Sequence, residues 1–117
     1  VIEQATAPTQ ALLYRLNGDL NPLHADPEFA ARVGFERPIL HGLCTLGHAG
    51  MALLRAMCGG DPGRLRSLTC LFRKPVLPGD TLTTRIWDMG EGRVRFDTLV
   101  TERGDAVITA GHAEVSS

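Results

Sequence analysis

From Leu68 onward, hydrophobic and polar residues alternate with a period of two. Leu68, Cys70 and Phe72 interleave with Thr69, Leu71 and Arg73, and Leu82, Thr84 and Ile86 interleave with Thr83, Arg85 and Trp87. Val94, Phe96, Thr98 and Val100 continue the pattern, and Val107, Thr109, Gly111, Ala113 and Val115 close it. Turn residues separate the runs: Pro78-Gly79 suits a type II turn, while Gly90-Glu91-Gly92 and Arg103-Gly104-Asp105 suit hairpin loops. The pattern predicts four antiparallel strands.

Upstream of Gly59-Gly60-Asp61-Pro62-Gly63 the spacing is helical. Between His41 and Met57 the residues Leu43, Leu46, Leu53, Leu54 and Met57 recur at helical intervals, with Gly47, Ala49 and Gly50 among them. Two glycines inside a helix cost about 1 kcal/mol each against alanine, so a packing reason is expected: a central helix held close against a sheet. Pro8 and Thr9 start a shorter helix with Leu12, Leu13 and Leu16 as its apolar stripe, and Gly18 can take the positive φ of its cap. Asp26 followed by Pro27 is a second N-cap, with Gly34 able to end that segment. Residues 19–25 are thus a loop pinned between two helices. Helices first and a meander afterwards make an α+β domain in which an antiparallel sheet wraps one long central helix.

Length adds one bound. The 117 residues suffice for a single core and not for two, so one domain is expected over 1–117. With 44% hydrophobic and 21% charged residues, the composition is that of a soluble globular protein. A net charge of -1 gives no broad basic footprint for nucleic acid. Cys44, Cys58 and Cys70 are an odd count without CxxC spacing, which suggests neither a disulfide framework nor a thiolate zinc site and fits a reducing compartment. His41, Gly42, His48 and Arg55 interrupt the best candidate for a membrane span, and the N-terminus lacks the pattern of a secretory signal. A cytoplasmic location is expected. A chain opening on Val1 is also expected to be processed or a piece of something longer.

The loop carries the candidate chemistry. YRLNGDLNPLHAD, residues 14–26, places an acid, an amide and an imidazole within six positions. Near neutrality Asp19 is anionic and His24 mostly neutral, so the two can hold one water from two sides and move its protons. Asn21 can donate to that water or fix its neighbours. Gly42, at the start of the central helix, offers a backbone N–H aided by the helix dipole to a developing negative oxygen. Together these parts suit addition of water to a double bond conjugated to a carbonyl. Asp and Asn are also common turn formers, and by residue type alone an Asx-turn accounts for Gly-Asp-x-Asn-Pro at least as well.

The longer string is more specific. Tyr14, Leu16, Asn17, Gly18, Asp19, Asn21, Pro22, Leu23, His24 and Ala30, with PILHGLCTLG at 38–47 and FRKPVLPGDTL at 72–82, resemble the R-specific enoyl-CoA hydratases, or MaoC-like dehydratases, which adopt the hotdog fold. Asn17 departs from the Ser or Thr more usual there. The resemblance implies that Asp19 and His24 activate water, that Asn21 helps position it, and that the Gly42 N–H holds the oxyanion. The implied reaction is reversible syn hydration of a trans-2-enoyl thioester to the R-3-hydroxyacyl product, with no cofactor, the acyl group being carried by CoA or by an acyl-carrier protein.

Substrate contacts are expected from Arg73 and Lys74, which with Arg64 and Arg66 upstream could meet CoA phosphates, and from His41 and Leu43. His41 reads as a hydrogen-bonder at the helix start rather than a second base, His48 as packed or partner-facing, and His112 as surface. The four histidines lack HxxxH spacing, so no metal site is expected. PILHGLCTLG is typical of the catalytic second half of double-hotdog members, and a lone hotdog exposes a sheet edge. A homodimer, or pairing with a second hotdog, is therefore expected. Two competing functions remain at this level: a non-catalytic acyl-CoA-binding subunit, and a hotdog thioesterase.

Overall fold

A computed structural model describes residues 1–116. Its elements in chain order are β1 (Ile2–Ala5), α1 (Gln10–Tyr14), α2 (Pro27–Arg32), α3 (Gly42–Met57), β2 (Leu65–Phe72), β3 (Thr81–Gly90), β4 (Arg93–Val100) and β5 (Ala106–Val115), with short 3-10 turns at Arg15–Asn17, Pro22–His24 and Pro62–Arg64. The strands form one antiparallel sheet in the order β1-β3-β4-β5-β2, leaving β1 and β2 at its edges. This is the hotdog arrangement, with α3 as the filling.

Alternation along the strands decides which side faces α3. Val94, Phe96, Thr98 and Val100 of β4 are all buried, while Arg93 before them and Arg95 between them are exposed. The core falls into two clusters along the helix: Cys44 with Leu40, Leu82, Val100 and Val107 near its start, and Ala49 and Leu53 with Val94, Phe96, Ile108 and Ala113 farther on. Within the sheet, Thr84 and Thr98, cross-strand partners and both fully buried, satisfy each other with a hydroxyl bond of 3.0 Å.

Three expectations meet a different outcome. A fifth strand, β1, pairs with the first part of β3; its short IEQA sequence has apolar residues only at Ile2 and Ala5, which fall on opposite faces and show no alternation. The leucine stripe of α1 is not buried: Ala11 and Tyr14 face the core, whereas Leu12, Leu13 and Leu16 lie exposed. Close packing excludes a side chain at neither helix glycine, 3.8 Å being an ordinary contact. Gly50 is buried, and a side chain there would meet Leu68 of β2 at 3.8 Å, while Gly47 lies exposed with open space beside it. No helix among the described residues is long and apolar enough to cross a membrane.

Candidate active site

Two local devices shape the segment between α1 and α3. Gly18 takes φ +109, a value open to glycine, and turns the chain out of the 3-10 turn that follows α1. Asp19 Oδ1 then accepts from the Asn21 N–H (3.3 Å), and Asn21 Oδ1 accepts from the Leu23 N–H (3.0 Å), capping the turn Pro22–His24. Farther on, Asp26 caps α2 through the N–H groups of Glu28 and Phe29. The Asx-turn reading of Gly-Asp-x-Asn-Pro is therefore correct as far as it goes. It describes how the loop is built, and the same loop carries the reactive groups.

Main-chain and side-chain bonds fold the segment back on itself and fasten it to the body. Ile39 N–H donates to Leu23 O (3.2 Å), Leu40 N–H donates to Val76 O (2.7 Å), and Arg37 reaches Pro78 O (3.2 Å). These bonds bring the chain before α3 back beside the Pro22–His24 turn. His24 Nδ1 then lies 2.8 Å from Ile39 O. A carbonyl can only accept, so Nδ1 carries the proton and Nε2 of the neutral ring carries the lone pair.

One carboxylate oxygen of Asp19 and one ring nitrogen each of His24 and His41 fall within 4.8 Å of one another. The acid and the imidazole thus converge as their spacing implied. Asp19 is exposed, with a side-chain exposure of 53%, and His24 is half-buried. His41 is 2% exposed and stacks on His24, the ring centroids 3.8 Å apart and the planes 24° from parallel. Among the described residues these three could hold a metal ion, although His41 would have to release its 3.2 Å bond to Asp19 O to ligate through Nε2.

His24 and Gly42 open onto one cavity of about 270 Å³, walled by Phe35, Ile39, Thr45, Phe72, Val76 and Val107. Arg73 and Lys74 are on the same lining. As the first residue of α3, Gly42 has an N–H without an intrahelical acceptor, at the positive end of a 16-residue helix. The Phe72 ring lies over it, 3.5 Å from where a Cβ would be. An anionic oxygen entering here meets an N–H donor beside an apolar wall, where such a bond is strongest.

Other expected contacts lie elsewhere. Leu43, 66% exposed, faces a wider open groove of about 570 Å³ between β1 and α3, which contains neither His24 nor Gly42. His41 is buried behind His24 and does not line the cavity. Asp19 and Asn21 are exposed beside the lining rather than part of it. Arg73 Nε donates to Thr109 Oγ1 (3.0 Å) and Lys74 Nζ to Asp105 Oδ1 (3.4 Å), so both cations are lightly tethered. Arg64 is bound to Ser116 O (2.8 Å), away from the cavity. Residue spacing gave no sign of the Ile39 carbonyl or of the packed ring stack, because both depend on the chain folding back between Leu23 and Ile39.

Electrostatics separate the two stacked imidazoles. Burial pushes His41 below the ordinary histidine range, and charge on His24 and Arg15 adds to this, against the pull of the Asp19 carbonyl and carboxylate. Burial likewise raises the Cys44 thiol, leaving no activated nucleophile at that position in α3.

Known proteins share this sequence and fold. The family described as "MaoC like domain" matches residues 1–111. The chain is 51% identical to peroxisomal enoyl-CoA hydratase 2 of Arabidopsis thaliana over 98% of its own length and 37% of that protein's. It is 47% identical to the mouse peroxisomal multifunctional enzyme type 2 over 98% of its length and 16% of the enzyme's. Among solved structures, a MaoC-like dehydratase from Phytophthora capsici superposes with a TM-score of 0.97 at 46% identity, over 99% of this chain and 41% of that one. The (R)-hydratase from A. caviae, involved in PHA biosynthesis, superposes at 0.71 with 29% identity, over 96% of this chain and 88% of that one. The chain thus spans well under half the length of the curated relatives named here. With the hotdog sheet, the Gly-Asp-x-Asn-Pro-x-His loop and the family match over residues 1–111, this chain belongs to the MaoC-like domain family.

Proposed function

We propose that the protein is an R-specific enoyl-CoA hydratase, adding water reversibly to trans-2-enoyl thioesters. The observation that carries this is an exposed carboxylate converging on an imidazole with a bare Nε2, which shares one small, largely apolar cavity with a helix-start N–H. Asp19 and His24 hold the water between them. As its oxygen bonds to C3, the pair takes one proton, the thioester oxygen becomes anionic against the Gly42 N–H, and a proton returned to C2 on the same face completes syn addition. Asp19 and His24 act as one coupled unit in that exchange. The Asn21 side-chain oxygen is occupied by Leu23, so its contribution to holding water is through Nδ2. No cofactor is required, because the thioester itself acidifies the α-carbon.

Arg73 and Lys74, on the cavity wall, are placed to meet the phosphates of CoA, or of an acyl-carrier protein's prosthetic group. β2, an edge strand of eight residues, ends at that wall. We therefore expect a second hotdog, from a second copy or from another part of a longer chain, to pair along this edge and flank the cavity. A cytoplasmic setting remains the expectation from the free thiols, and a peroxisomal one, as in the named relatives, suits them equally.

The experiment is an absorbance assay with crotonyl-CoA. Loss of the enoyl chromophore with no free thiol supports hydration, thiol release indicates a thioesterase, and binding without turnover indicates a non-catalytic subunit.

A further inference from the structure

We propose that His41 is a positioning residue for this hydration: a neutral imidazole, buried behind the reacting groups, that fixes the ring plane of His24 and the main chain of Asp19 together. The inference rests on the hydratase function proposed above.

Three contacts converge on this one ring. Its face lies on His24, with centroids 3.8 Å apart. Tyr14 packs at 4.7 Å with its plane tilted by 48°. Its Nε2 stands 3.2 Å from the carbonyl oxygen of Asp19 and 3.9 Å from a carboxylate oxygen of the same residue. A carbonyl accepts, so Nε2 carries the hydrogen and Nδ1 is left bare. That Nδ1 is buried and unpartnered.

An orphaned buried nitrogen is costly, and a leucine or phenylalanine would fill the same space without it. What a hydrocarbon cannot do is donate to the Asp19 main chain while presenting a flat face to His24. The His41 carbonyl also accepts from the N–H groups of Cys44 (3.1 Å) and Thr45 (3.2 Å), which fixes the entry to α3 at the residue before Gly42. One residue therefore ties together the base, the acid's backbone and the oxyanion donor's neighbour.

Its neutrality follows from what surrounds it. Of the titratable and charged groups facing the ring, His24 on the turn after the loop and Arg15 after α1 add to burial in holding it below the usual histidine range, Asp19 in the loop opposes them, and the Tyr14 phenol packs alongside. A second proton would have to reside on Nδ1, where no acceptor awaits it. His41 therefore resists protonation and lies as a fixed plate against His24.

The test joins ring-nitrogen NMR of the wild type to kinetics of H41F and H41Q. In the wild type, His41 should show the Nε2–H tautomer and be neutral at neutral pH. H41F keeps a flat apolar ring and loses the donor; its kcat should fall about ten- to a hundredfold with KM within about twofold. H41Q, which retains an N–H within reach of Asp19, should lose less than H41F and serves as the second variant should H41F not fold. Unchanged kcat in the folded variants, a rise in KM instead of a fall in kcat, an Nδ1–H tautomer, or a charged His41 ring at neutral pH would each overturn the proposal. An inactive wild type with the expected NMR signature would instead count against the hydratase function.

Discussion

His24→Asn separates the two nitrogens of the imidazole. In the protein Nδ1–H holds the Ile39 carbonyl at 2.8 Å and Nε2 is free to act. The amide nitrogen of asparagine falls close to the place of Nδ1, so the variant keeps a donor for Ile39 and loses the base. The fold then gives up mainly the stack on His41, about 0.5–1.5 kcal/mol for an aromatic pair, while the tether, about 1 kcal/mol net, is retained. Against an ordinary domain stability of about 5–15 kcal/mol, such a loss leaves the chain folded. The reaction loses a positioned base, about 10²–10⁴ in rate, or about 3–5 kcal/mol in barrier. Enoyl absorbance with crotonyl-CoA should show kcat down at least about a hundredfold with KM little changed. A thermal melt alongside should move by only about 3–8 °C. A well-folded variant turning over within about threefold of wild type would refute the assignment of Nε2 as the working atom.

Three further outcomes follow from the same geometry. Thr84→Val or Thr98→Val alone should cost about 1–3 kcal/mol by stranding a buried hydroxyl, while the double variant recovers much of that loss; urea denaturation giving simple additivity would show the pair uncoupled. Neutralising Arg73 and Lys74 together should raise KM for CoA thioesters far more than it lowers kcat, and an unchanged KM would mark both as merely solvated. Stability should decline in two stages as pH falls. The unfolded chain protonates His41 near about 6.5 while the folded protein resists, so the first loss begins there and runs down to the lower folded value. Asp105, held below the usual carboxylate range first by Arg103 and then by Lys74, and Glu102, held by the Thr81 N–H, keep their contribution above the ordinary carboxylate value and lose it as pH drops through their folded values. Melting temperature against pH should lose the first stage in H41F and part of the second in D105N.

The strands were legible because alternation is dictated by a sheet with one face on a helix, and β4 reads that way residue by residue. Caps were legible for a similar reason: Asp26-Pro27 and Gly18 have few other uses in the places they occupy. β1 was not, since an edge strand of four residues needs little apolar surface. Leu12, Leu13 and Leu16 misled because helical spacing says that residues share a face and not that anything covers it. At the site, Asp19, Asn21, His24 and Gly42 were visible as types, and their closeness rests on main-chain bonds between Leu23 and Ile39 and between Leu40 and Val76, which any side chain could accompany. Leu43 shows the remaining limit: one residue along a helix turns a side chain by about 100°, enough to carry it from the cavity to the groove on the other side.

The fastening of residues 19–41 by a few backbone bonds means that reactivity and scaffold answer to separate constraints. Selection can disarm or lengthen that strap without disturbing the strands beneath it. A duplicated gene could accordingly keep one armed copy and let the other drift into a mere wall for bulkier acyl tails, both still folding to the same shape.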